Sequence, residues 1–359
     1  MTTHANPTDQ DQRLRVGVIV GGRSSEKEVS LDSGRNIYYN LDPSKYEGVP
    51  IFMDSKGRLW EITLPLLVQN TTADIEARLE HDARRIPYEG LKNHVDFVYI
   101  GLHGKWGEDG CLQGLLELLD LPYTGAGVLG SALGMHKAVQ RRILRQAGID
   151  VPKHRVVSRR QWGSDSASVQ AMVEAEVGYP CVVKPTREGC SIGLSVVRTP
   201  EQLGPAIENA LEWDNDVLVE ELLNGMEITV AVIGNEEPTA FLPTETPPKG
   251  DFLTIEEKFL PGEGENITPA RLPKEKLEEI QRIVERAYKA LHLKAYTRFD
   301  GFVVGDRIVV TEPNTLPGTT PSSTIFQGPA EAGMSPMELI DRVIQLSLEA
   351  HRNKKGPLD

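Results

Sequence analysis

The sequence predicts an α/β fold, because apolar runs typical of β-strands alternate with amphipathic helical segments along the chain. The first run, 15–20, ends in Gly21-Gly22 and precedes a helix predicted at 29–39. A buried-type run at 95–102 leads into the loop His103-Gly-Lys-Trp-Gly-Glu-Asp-Gly. Glycine-rich loops at the carboxyl ends of strands are typical of ligand sites in open α/β sheets. The sequence therefore predicts a ligand-binding α/β protein.

Length and composition describe an enzyme of two or three domains. The chain has 359 residues, of which 39% are hydrophobic and 25% charged, enough to build real cores. A net charge of −13 argues against nucleic acid or an anionic membrane as a general partner, but not against a nucleotide in a locally basic cleft. Three cysteines without metal-ligand spacing indicate a reducing cytoplasm. Residues 1–13 lack the apolar core of a signal peptide and no run could span a membrane, so we expect a disordered tail there.

The segment from Ala295 to Gly318 predicts a β-hairpin, with two β-branched runs joined by Gly305-Asp306-Arg307. Side chains alternate between the two faces of a strand, so the turn decides which polar groups meet. A two-residue loop at Gly305-Asp306 would oppose Asp300 to Thr311, whereas a three-residue loop would oppose Asp300 to Glu312. We predict the three-residue loop.

In that register one face of the hairpin carries two carboxylates, an amide and a guanidinium, from Asp300, Glu312, Asn314 and Arg298. Such oxygen ligands suit Mg²⁺, which usually takes one or two carboxylates and completes its shell with phosphate oxygens and water. Arg298 would then face the anion that the metal holds. The alternative is a solvated hairpin whose acids and arginine form surface ion pairs.

A glycine-rich turn is the candidate phosphate-binding loop. The stretch Lys184-Pro-Thr-Arg-Glu-Gly-Cys-Ser-Ile-Gly lies between strands predicted at 181–183 and 194–197. The chain contains no G-x-x-x-x-G-K-[ST] motif, which excludes a Walker A loop. Free backbone N–H groups of a flexible hairpin can still cover phosphates.

Two loops of the first third carry candidate ligand groups. Glu26 and Glu28 follow Gly21-Gly22 and could hold an ammonium group, while adjacent glycines without G-x-G-x-x-G favour a tight turn over a dinucleotide site. His103 is either part of a ligand loop or a structural histidine.

A strand predicted at 216–223 contains the candidate adenine site. Backbone groups of 219–223 could bind an adenine, with Glu220 and Glu227 as acceptors for its amine or the ribose; the alternative is a surface hairpin with acidic rims. Residues 245–271 are too long and too rich in glycine and proline for an ordinary connection, which predicts a lid.

Helical periodicity predicts three long helices, at 131–146 with Lys137 inside it, at 272–293 and at 336–351. Gly148 is a suitable residue to follow the first of these helices. A Ser-rich polar segment at 163–169 is expected to separate two short strands.

These stretches, in this order, resemble the D-alanine–D-alanine ligase family of the ATP-grasp fold. The resemblance covers about residues 14–350 and rests on motifs that are specific together: Gly21-Gly-Arg-Ser-Ser-Glu-Lys-Glu-Val-Ser, His103-Gly-Lys-Trp-Gly-Glu-Asp-Gly, Pro122-Tyr-Thr-Gly-Ala-Gly, Lys184-Pro-Thr-Arg-Glu-Gly, and Arg298-Phe-Asp with Glu312-Pro-Asn-Thr-Leu-Pro-Gly. It implies a Rossmann-like substrate domain at 14–127, a central domain at 128–219 and a C-terminal domain at 220–352 with the lid at 245–271. Residues 353–359 would form a second tail.

The resemblance also implies which residues bind ATP and metal. The triphosphate would contact Lys137, Lys184 and Lys258, and the base and ribose would contact Glu220, Glu221, Leu223 and Glu227. Two Mg²⁺ ions, or Mn²⁺, would be held by Asp300, Glu312 and Asn314, in agreement with the hairpin interpretation.

For the amino-acid substrates, the resemblance implies that Glu26 holds the ammonium of the first D-alanine and that His103 lies near its carboxylate. Arg298 and the Gly318 N–H would form the oxyanion site, and Ser323 would receive the second carboxylate. The first D-alanine would attack the γ-phosphorus to give an acyl phosphate, and the second would displace phosphate to give D-alanyl-D-alanine for peptidoglycan precursors. A homodimer in the cytoplasm is implied as well.

The sequence departs from the family pattern in three places. A Glu–Ser–Tyr trio of the family falls on Glu26, Cys190 and Phe259, and neither a thiol nor a phenyl ring replaces the missing hydroxyl groups. His136 stands where an Asp is usual, and the last loop is altered around Pro321. Phenylalanine at the lid position goes with D-lactate as second substrate in the family. Depsipeptide formation, or another D-alanine-containing product such as one with D-serine, is therefore the alternative, and a nucleotide-binding regulator without turnover is a further one.

Overall fold

Three β-sheets organise the part of the chain that the computed structural model describes, which is residues 13–189, 192–247 and 265–354. The first sheet has strand order β4-β3-β2-β1-β5. Its strands are β1 (Leu14–Gly21), β2 (Tyr46–Met53), β3 (Leu59–Glu61), β4 (Arg84–Ile86) and β5 (Phe97–Ile100). The apolar runs predicted to be strands form its parallel centre, β2-β1-β5.

The chain forms seven α-helices between β1 and the first strand of the second sheet. They are α1 (Lys27–Tyr39), α2 (Leu64–Leu67), α3 (Thr72–Glu76), α4 (Leu79–Asp82), α5 (Cys111–Leu118), α6 (Val128–Met135) and α7 (Lys137–Gln146), with a 3₁₀ helix at Tyr88–Asn93. Helix α1 packs close to β1 because Gly34 has no side chain; a Cβ there would lie 1.8 Å from Val20 Cγ1.

The single helix predicted at 131–146 is wrong. Helices α6 and α7 are separated at His136, whose φ of −90° and ψ of 87° leave the helical region. The backbone N–H of Lys137 instead donates to the carbonyl oxygen of Thr186 in the middle of the chain. Lys137 therefore opens a helix, and Gly148, with φ of +71°, follows its end as predicted.

The second sheet is antiparallel, with strand order β6-β9-β7-β8. Its elements are β6 (His154–Ser158), α8 (Arg159–Ser164), α9 (Ser166–Glu176), β7 (Cys181–Pro185), β8 (Ser195–Val197), a 3₁₀ turn at Pro200–Gln202, α10 (Leu203–Leu211) and β9 (Asp216–Glu221). The Ser-rich segment separates β6 from β7, as predicted, and it lies in helices α8 and α9. Ser158 and Gln161 form a capping box at α8, and Asp165 caps α9 through the backbone N–H of Ser168.

The third sheet is also antiparallel, with order β11-β10-β13-β14 and β12 beside β10. Its strands are β10 (Met226–Gly234), β11 (Thr239–Ala240), β12 (Thr244–Glu245), β13 (Ala295–Val304) and β14 (Arg307–Asn314). It is accompanied by α11 (Lys274–Ala290), a 3₁₀ turn at Thr324–Phe326, α12 (Gln327–Glu331) and α13 (Pro336–Lys354). Helices α11 and α13 are the two predicted at 272–293 and 336–351.

The hydrophobic cores follow the sheets, and one of them joins the first sheet to the third. This core combines the first sheet with α13, with Tyr296 of β13 and with Leu316 just after β14. Another packs α7 and α11 on the third sheet, and a third fills the middle sheet. None of the helices in the described ranges is long and apolar enough to cross a membrane.

Candidate active site

The hairpin of β13 and β14 pairs Arg298 with Asn314 and Asp300 with Glu312, as predicted. The reason given for that register is wrong. Val304 pairs with Arg307, so the loop is the two-residue Gly305-Asp306, and the pairing shifts at a bulge between Asp300 and Gly301. Thr311 is the extra residue on β14, and its hydroxyl donates to the Asp300 carbonyl oxygen at 2.9 Å.

Side chains on this hairpin face contact one another directly. Arg298 donates to both carboxylate oxygens of Asp300 at 2.8 Å each, and Asn314 Nδ2 donates to Asp300 Oδ2 at 3.0 Å. Glu312 Oε2 lies 3.1 Å from Lys137 Nζ, which arrives from the start of α7. Two carboxylates and two cations therefore share one partly enclosed surface.

A cleft opens on this face. The side chains and backbone that line it include eight of the residues singled out from the sequence: Glu26, His103, Lys137, Arg298, Asp300, Glu312, Asn314 and Gly318. Loops of the first sheet, the start of α7 and the hairpin are brought together here from three distant parts of the chain.

Two carboxylates and one amide oxygen at the cleft fit a magnesium ion that is also bound by phosphate. Among the described residues no cluster of three or more His, Cys, Asp or Glu is arranged to hold a metal alone. Asp300, Glu312 and Asn314 would leave several coordination positions for phosphate oxygens and water, which is the usual arrangement for Mg²⁺.

The loop after β1 separates the roles of its two glutamates. Glu28 accepts from the backbone N–H of Thr72 at 3.0 Å and from its hydroxyl, and so holds the start of α3. Glu26 lines the cleft instead. A Cβ on Gly189, in the glycine-rich turn after β7, would lie 2.2 Å from Glu26 Oε1. The turn can cover Glu26 this closely only because residue 189 is glycine.

His103 is a buried, neutral group. Nδ1 lies 3.0 Å from the Leu316 carbonyl oxygen and Nε2 lies 2.8 Å from Ser33 Oγ. A carbonyl only accepts, so Nδ1 carries the proton and Nε2 accepts from the Ser33 hydroxyl. Burial, with a smaller contribution from Arg298, lowers the pKa of His103 to about 4.

Glu108 lines the same cleft but was not among the predicted site residues. Its carboxylate accepts from the backbone N–H of Gly104 at 2.8 Å and from that of Leu316 at 3.0 Å. Burial, followed by the charge of Glu26, raises its pKa to about 8. The signal was present in the sequence, since Glu108 belongs to the glycine-rich loop that begins at His103, but the partner residue 316 is too distant in the chain to anticipate.

Lys184 and Glu220 lie outside the lining of the cleft and contact each other across the middle sheet. Glu220 Oε1 is 2.5 Å from Lys184 Nζ, and Oε2 is 2.8 Å from Arg141. Burial alone would raise the pKa of Glu220, but Lys184 and Arg141 lower it to about 2. Glu220 is therefore a charged, buried group in an ion-pair triad that the sequence did not reveal.

Three other predicted nucleotide residues also lie outside the cleft lining. Glu221 accepts from the backbone N–H of Lys153 at 2.9 Å and pairs with Arg307. Leu223 is half-buried in the connection to β10, and Glu227 stands near the start of β10, opposite Phe302.

Ser323 is buried, and its hydroxyl lies 2.9 Å from that of Thr320. It precedes the 3₁₀ turn at 324–326 and is not among the residues lining the cleft. Cys190, Lys258 and Phe259 lie outside the described residues, as does most of the predicted lid.

The mixed α/β sheets with the hairpin face at a shared cleft are those of an ATP-grasp protein. The family models described as D-ala D-ala ligase N-terminus and C-terminus match residues 15–126 and 143–345. The chain belongs to the D-alanine–D-alanine ligase family.

Similar proteins of known name belong to the same family. The chain is 36% identical over 355 residues to the D-alanine–D-alanine ligase of Geobacillus thermodenitrificans, covering 96% of this chain and 98% of that one. Among solved structures, the D-alanine–D-alanine ligase from Coxiella burnetii has a TM-score of 0.82 at 30% identity, with 95% and 96% of the two chains covered.

Two further structures bear on ligands. The VanG D-Ala:D-Ser ligase from Enterococcus faecalis has a TM-score of 0.82 at 31% identity, covering 94% of this chain and all of that one. The D-alanine–D-alanine ligase from Bacillus anthracis complexed with ATP has a TM-score of 0.74 at 30% identity, covering 95% and 100%.

Proposed function

We propose that this chain is an ATP-dependent ligase that joins two D-alanines into D-alanyl-D-alanine and releases ADP and phosphate, in the synthesis of peptidoglycan precursors. The observation that carries the proposal is the shared cleft, where the Arg298–Asp300–Glu312–Asn314 face meets Glu26 and His103. Family membership supplies the substrates, and the cleft supplies groups suited to them.

The first substrate is an amino acid, whose ammonium suits the carboxylate of Glu26. The neutral His103 adds no charge near the substrate carboxylate, and Arg298 supplies the positive charge on the hairpin side. The carboxylate of the first D-alanine attacks the γ-phosphorus of ATP and displaces ADP. The amine of the second D-alanine then attacks the carbonyl carbon of the resulting acyl phosphate. Phosphate then leaves from a tetrahedral intermediate.

Arg298 and the Gly318 N–H are proposed to stabilise the negative oxygen of that intermediate, since both border the cleft. The loss of one such donor typically lowers the rate by about a hundredfold or more. Asp300, Glu312 and Asn314 would hold two Mg²⁺ or Mn²⁺ ions. When bound, these ions would neutralise phosphate charge. Ser323 would have to become accessible before it could receive the second carboxylate.

ATP is proposed to place its phosphates at Lys137 and at Lys184, with Lys258 joining from the lid. Lys137 supports this best, because its Nζ is already at the cleft beside Glu312. Lys184 would have to exchange its pairing with Glu220 for a phosphate, or act by orienting Glu220 toward the adenine amine. Glu221, Leu223 and Glu227 remain proposed contacts for the base and ribose.

A second candidate product contains D-lactate or D-serine in place of the second D-alanine. Phe259 and Cys190 remove two hydroxyl groups from the family trio, and one similar structure is a D-Ala:D-Ser ligase. A nucleotide-binding regulator is disfavoured, because a pure binder has little need of the complete hairpin face.

We further propose a cytoplasmic homodimer that uses neither nucleic acid nor membrane as a partner. The exposed apolar side chains of Leu118, Val128 and Leu129, on neighbouring helices α5 and α6, are consistent with a second copy. A division into three domains, one for each sheet, is part of this proposal, and β9, a strand of the middle sheet that ends at Glu221, supports a second boundary after that residue.

The test is phosphate release from ATP with D-alanine alone, then with D-lactate or D-serine added, from about pH 6 to about pH 9, since protonation of an amine nucleophile depends on pH. Mass spectrometry identifies the products. D-alanine-dependent phosphate release with D-alanyl-D-alanine as product is expected. ATP binding without D-alanine-dependent turnover would instead identify a nucleotide-binding regulator.

A further inference from the structure

The segment that carries Gly318 is held at both ends by side chains of helix α1 and of the loop after β5. Leu316 and Thr319 flank Pro317-Gly318, and each has both of its backbone polar groups bonded to such side chains. Glu108 accepts from the Leu316 N–H at 3.0 Å, and His103 Nδ1 donates to the Leu316 carbonyl oxygen at 3.0 Å.

Thr319 is held by α1 in the same manner. Its backbone N–H donates to Ser33 Oγ at 3.1 Å, and its carbonyl oxygen accepts from Asn36 Nδ2 at 2.8 Å. The two ends are connected, because the Ser33 hydroxyl also donates to His103 Nε2 at 2.8 Å. Ser33, His103, Leu316 and Thr319 are all at least nine-tenths buried.

We infer that Ser33 and Asn36, together with His103 and Glu108, are positioning residues that set the Gly318 N–H for the reaction. We call these four side chains the brace. This inference rests on the proposed function, in which the Gly318 N–H faces the developing negative oxygen.

The physical reason is that an oxyanion donor acts only when its direction is fixed before the reaction. A loop between two strands or helices is ordinarily mobile, and a misplacement of about 1 Å can lower a rate by about a hundredfold. Four hydrogen bonds to the two residues that flank Pro317-Gly318 remove that freedom. The brace also connects the Gly318 N–H to α1, which begins directly after Glu26. The oxyanion donor and the proposed site for the first substrate's ammonium are therefore held by the same part of the protein.

Ser33→Ala, Asn36→Ala and the double variant test the brace. The matched controls are Ser30→Ala and Asp32→Ala, on the same helix. Ser30 is as buried as Ser33 and bonds Gly21 and Gly101, while the Asp32 carboxylate pairs with Arg35; neither side chain bonds residues 316–319 or a side chain of the brace. Unfolding curves are measured for all five, so that loss of fold is separated from loss of positioning.

Each single brace variant is expected to lower kcat about tenfold, and the double variant about a hundredfold, with KM for ATP and D-alanine changed less than about twofold. A phosphinate analogue that is tetrahedral at the reacting centre should lose affinity in the same proportion as kcat. The control variants should keep both values.

Brace variants that match the controls in kcat and in phosphinate affinity, while the wild type makes product, would overturn the inference and leave the proposed function standing. A wild-type chain that forms no D-alanine-containing product would overturn the proposed function itself. If the double variant fails to fold, Asn36→Ala decides, because its side chain is only partly buried.

Discussion

Asp300 and Glu312 face each other across the hairpin because Thr311 bulges out of β14 between the paired positions. The bulge puts both carboxylates on one surface and brings Glu312 to Lys137 at 3.1 Å. Bulges often occur next to active sites, where they redirect a side chain. Glu312 is the carboxylate of this pair that lies within reach of the first residue of α7.

Glu312→Ala should reduce D-alanine-dependent phosphate release at least a hundredfold, because it removes one of two carboxylates available to the metal ion. The fold should persist, since the side chain lies at the cleft rather than in a core. Turnover is measured at saturating Mg²⁺, and folding by circular dichroism. Glu275→Gln, on the exposed first turn of α11, is the matched control. Near-normal turnover in Glu312→Ala would remove this residue from the site.

Arg141→Met should lower the free energy of unfolding by about 3–5 kcal/mol, the typical cost of leaving one partner of a buried ion pair behind. Arg141 is fully buried and pairs with Glu220, which is also buried. In the variant, Lys184 would be the only remaining cation of the triad beside Glu220. Urea unfolding measures the change. Arg142→Met, exposed on the same helix, should change stability by no more than about 0.5 kcal/mol. Equal stabilities of the two variants would contradict this account of the triad.

Local patterns in the sequence predicted the elements that depend on nearest neighbours. The parallel strands at 15–20 and 95–102, the helix after Gly21-Gly22 and the long C-terminal helix are specified by apolar periodicity and capping residues. Within each strand of the hairpin, the shared face of Arg298 with Asp300 and of Glu312 with Asn314 was also predictable, because residues two apart share a face whatever the turn.

Contacts between distant segments could not be predicted. Nothing in the residues around 141 indicates that this arginine lies beside residue 220, and the pairing of residue 108 with residue 316 depends on how the first and third sheets pack. The correct opposition of Asp300 and Glu312 was reached through a wrong turn length, because a bulge and a longer loop shift a ladder by the same one residue. The helix is interrupted at His136, where the backbone N–H of Lys137 donates a hydrogen bond to the Thr186 carbonyl oxygen. Helical periodicity does not indicate such a contact between distant segments.

His103 should make stability depend on pH between about 4 and 6.5. In the folded protein the pKa of His103 is about 4, below the ordinary value of 6.5, and burial is the main cause. The unfolded chain therefore binds the proton first. The stabilisation is complete above pH 6.5 and is lost as the pH falls through about 4, with an upper limit of about 3 kcal/mol.

Glu108 acts in the opposite sense, because its raised pKa lets the folded chain bind a proton between about 4.5 and 8. The measurement is therefore a comparison of urea unfolding at pH 7, 5.5 and 4 for the wild type and His103→Gln. The variant should lose less stability on acidification than the wild type does. Parallel losses would show that His103 does not titrate in this range.

Phe259→Tyr should shift the product toward the dipeptide when D-alanine and D-lactate compete. Residue 259 lies outside the described residues, and the expectation rests on the hydroxyl that the variant returns to the family trio. Product ratios from mass spectrometry decide, with Phe241→Tyr, at a buried position of the third sheet's unit, as the control for an added hydroxyl. An unchanged ratio would remove this lid position from the choice of second substrate.

Lys105→Ala should loosen the glycine-rich turn that covers Glu26. Lys105 belongs to the loop after β5, forms an ion pair with Glu188 and donates to the Trp213 carbonyl oxygen at 3.3 Å. Glu188 directly precedes Gly189, the residue that lies against the Glu26 carboxylate. A partly exposed ion pair contributes up to about 1 kcal/mol, or about a fivefold change in an equilibrium.

KM for D-alanine should therefore rise about fivefold in Lys105→Ala, and more phosphate should be released per dipeptide formed, because water reaches the acyl phosphate when the turn opens. Lys92→Ala is the control, since its ion pair with Asp120, at 3.7 Å, lies away from the cleft. Phosphate and dipeptide are measured in the same reaction. A ratio as close to one in Lys105→Ala as in the control would mean that the Lys105–Glu188 pair does not hold the turn closed during catalysis.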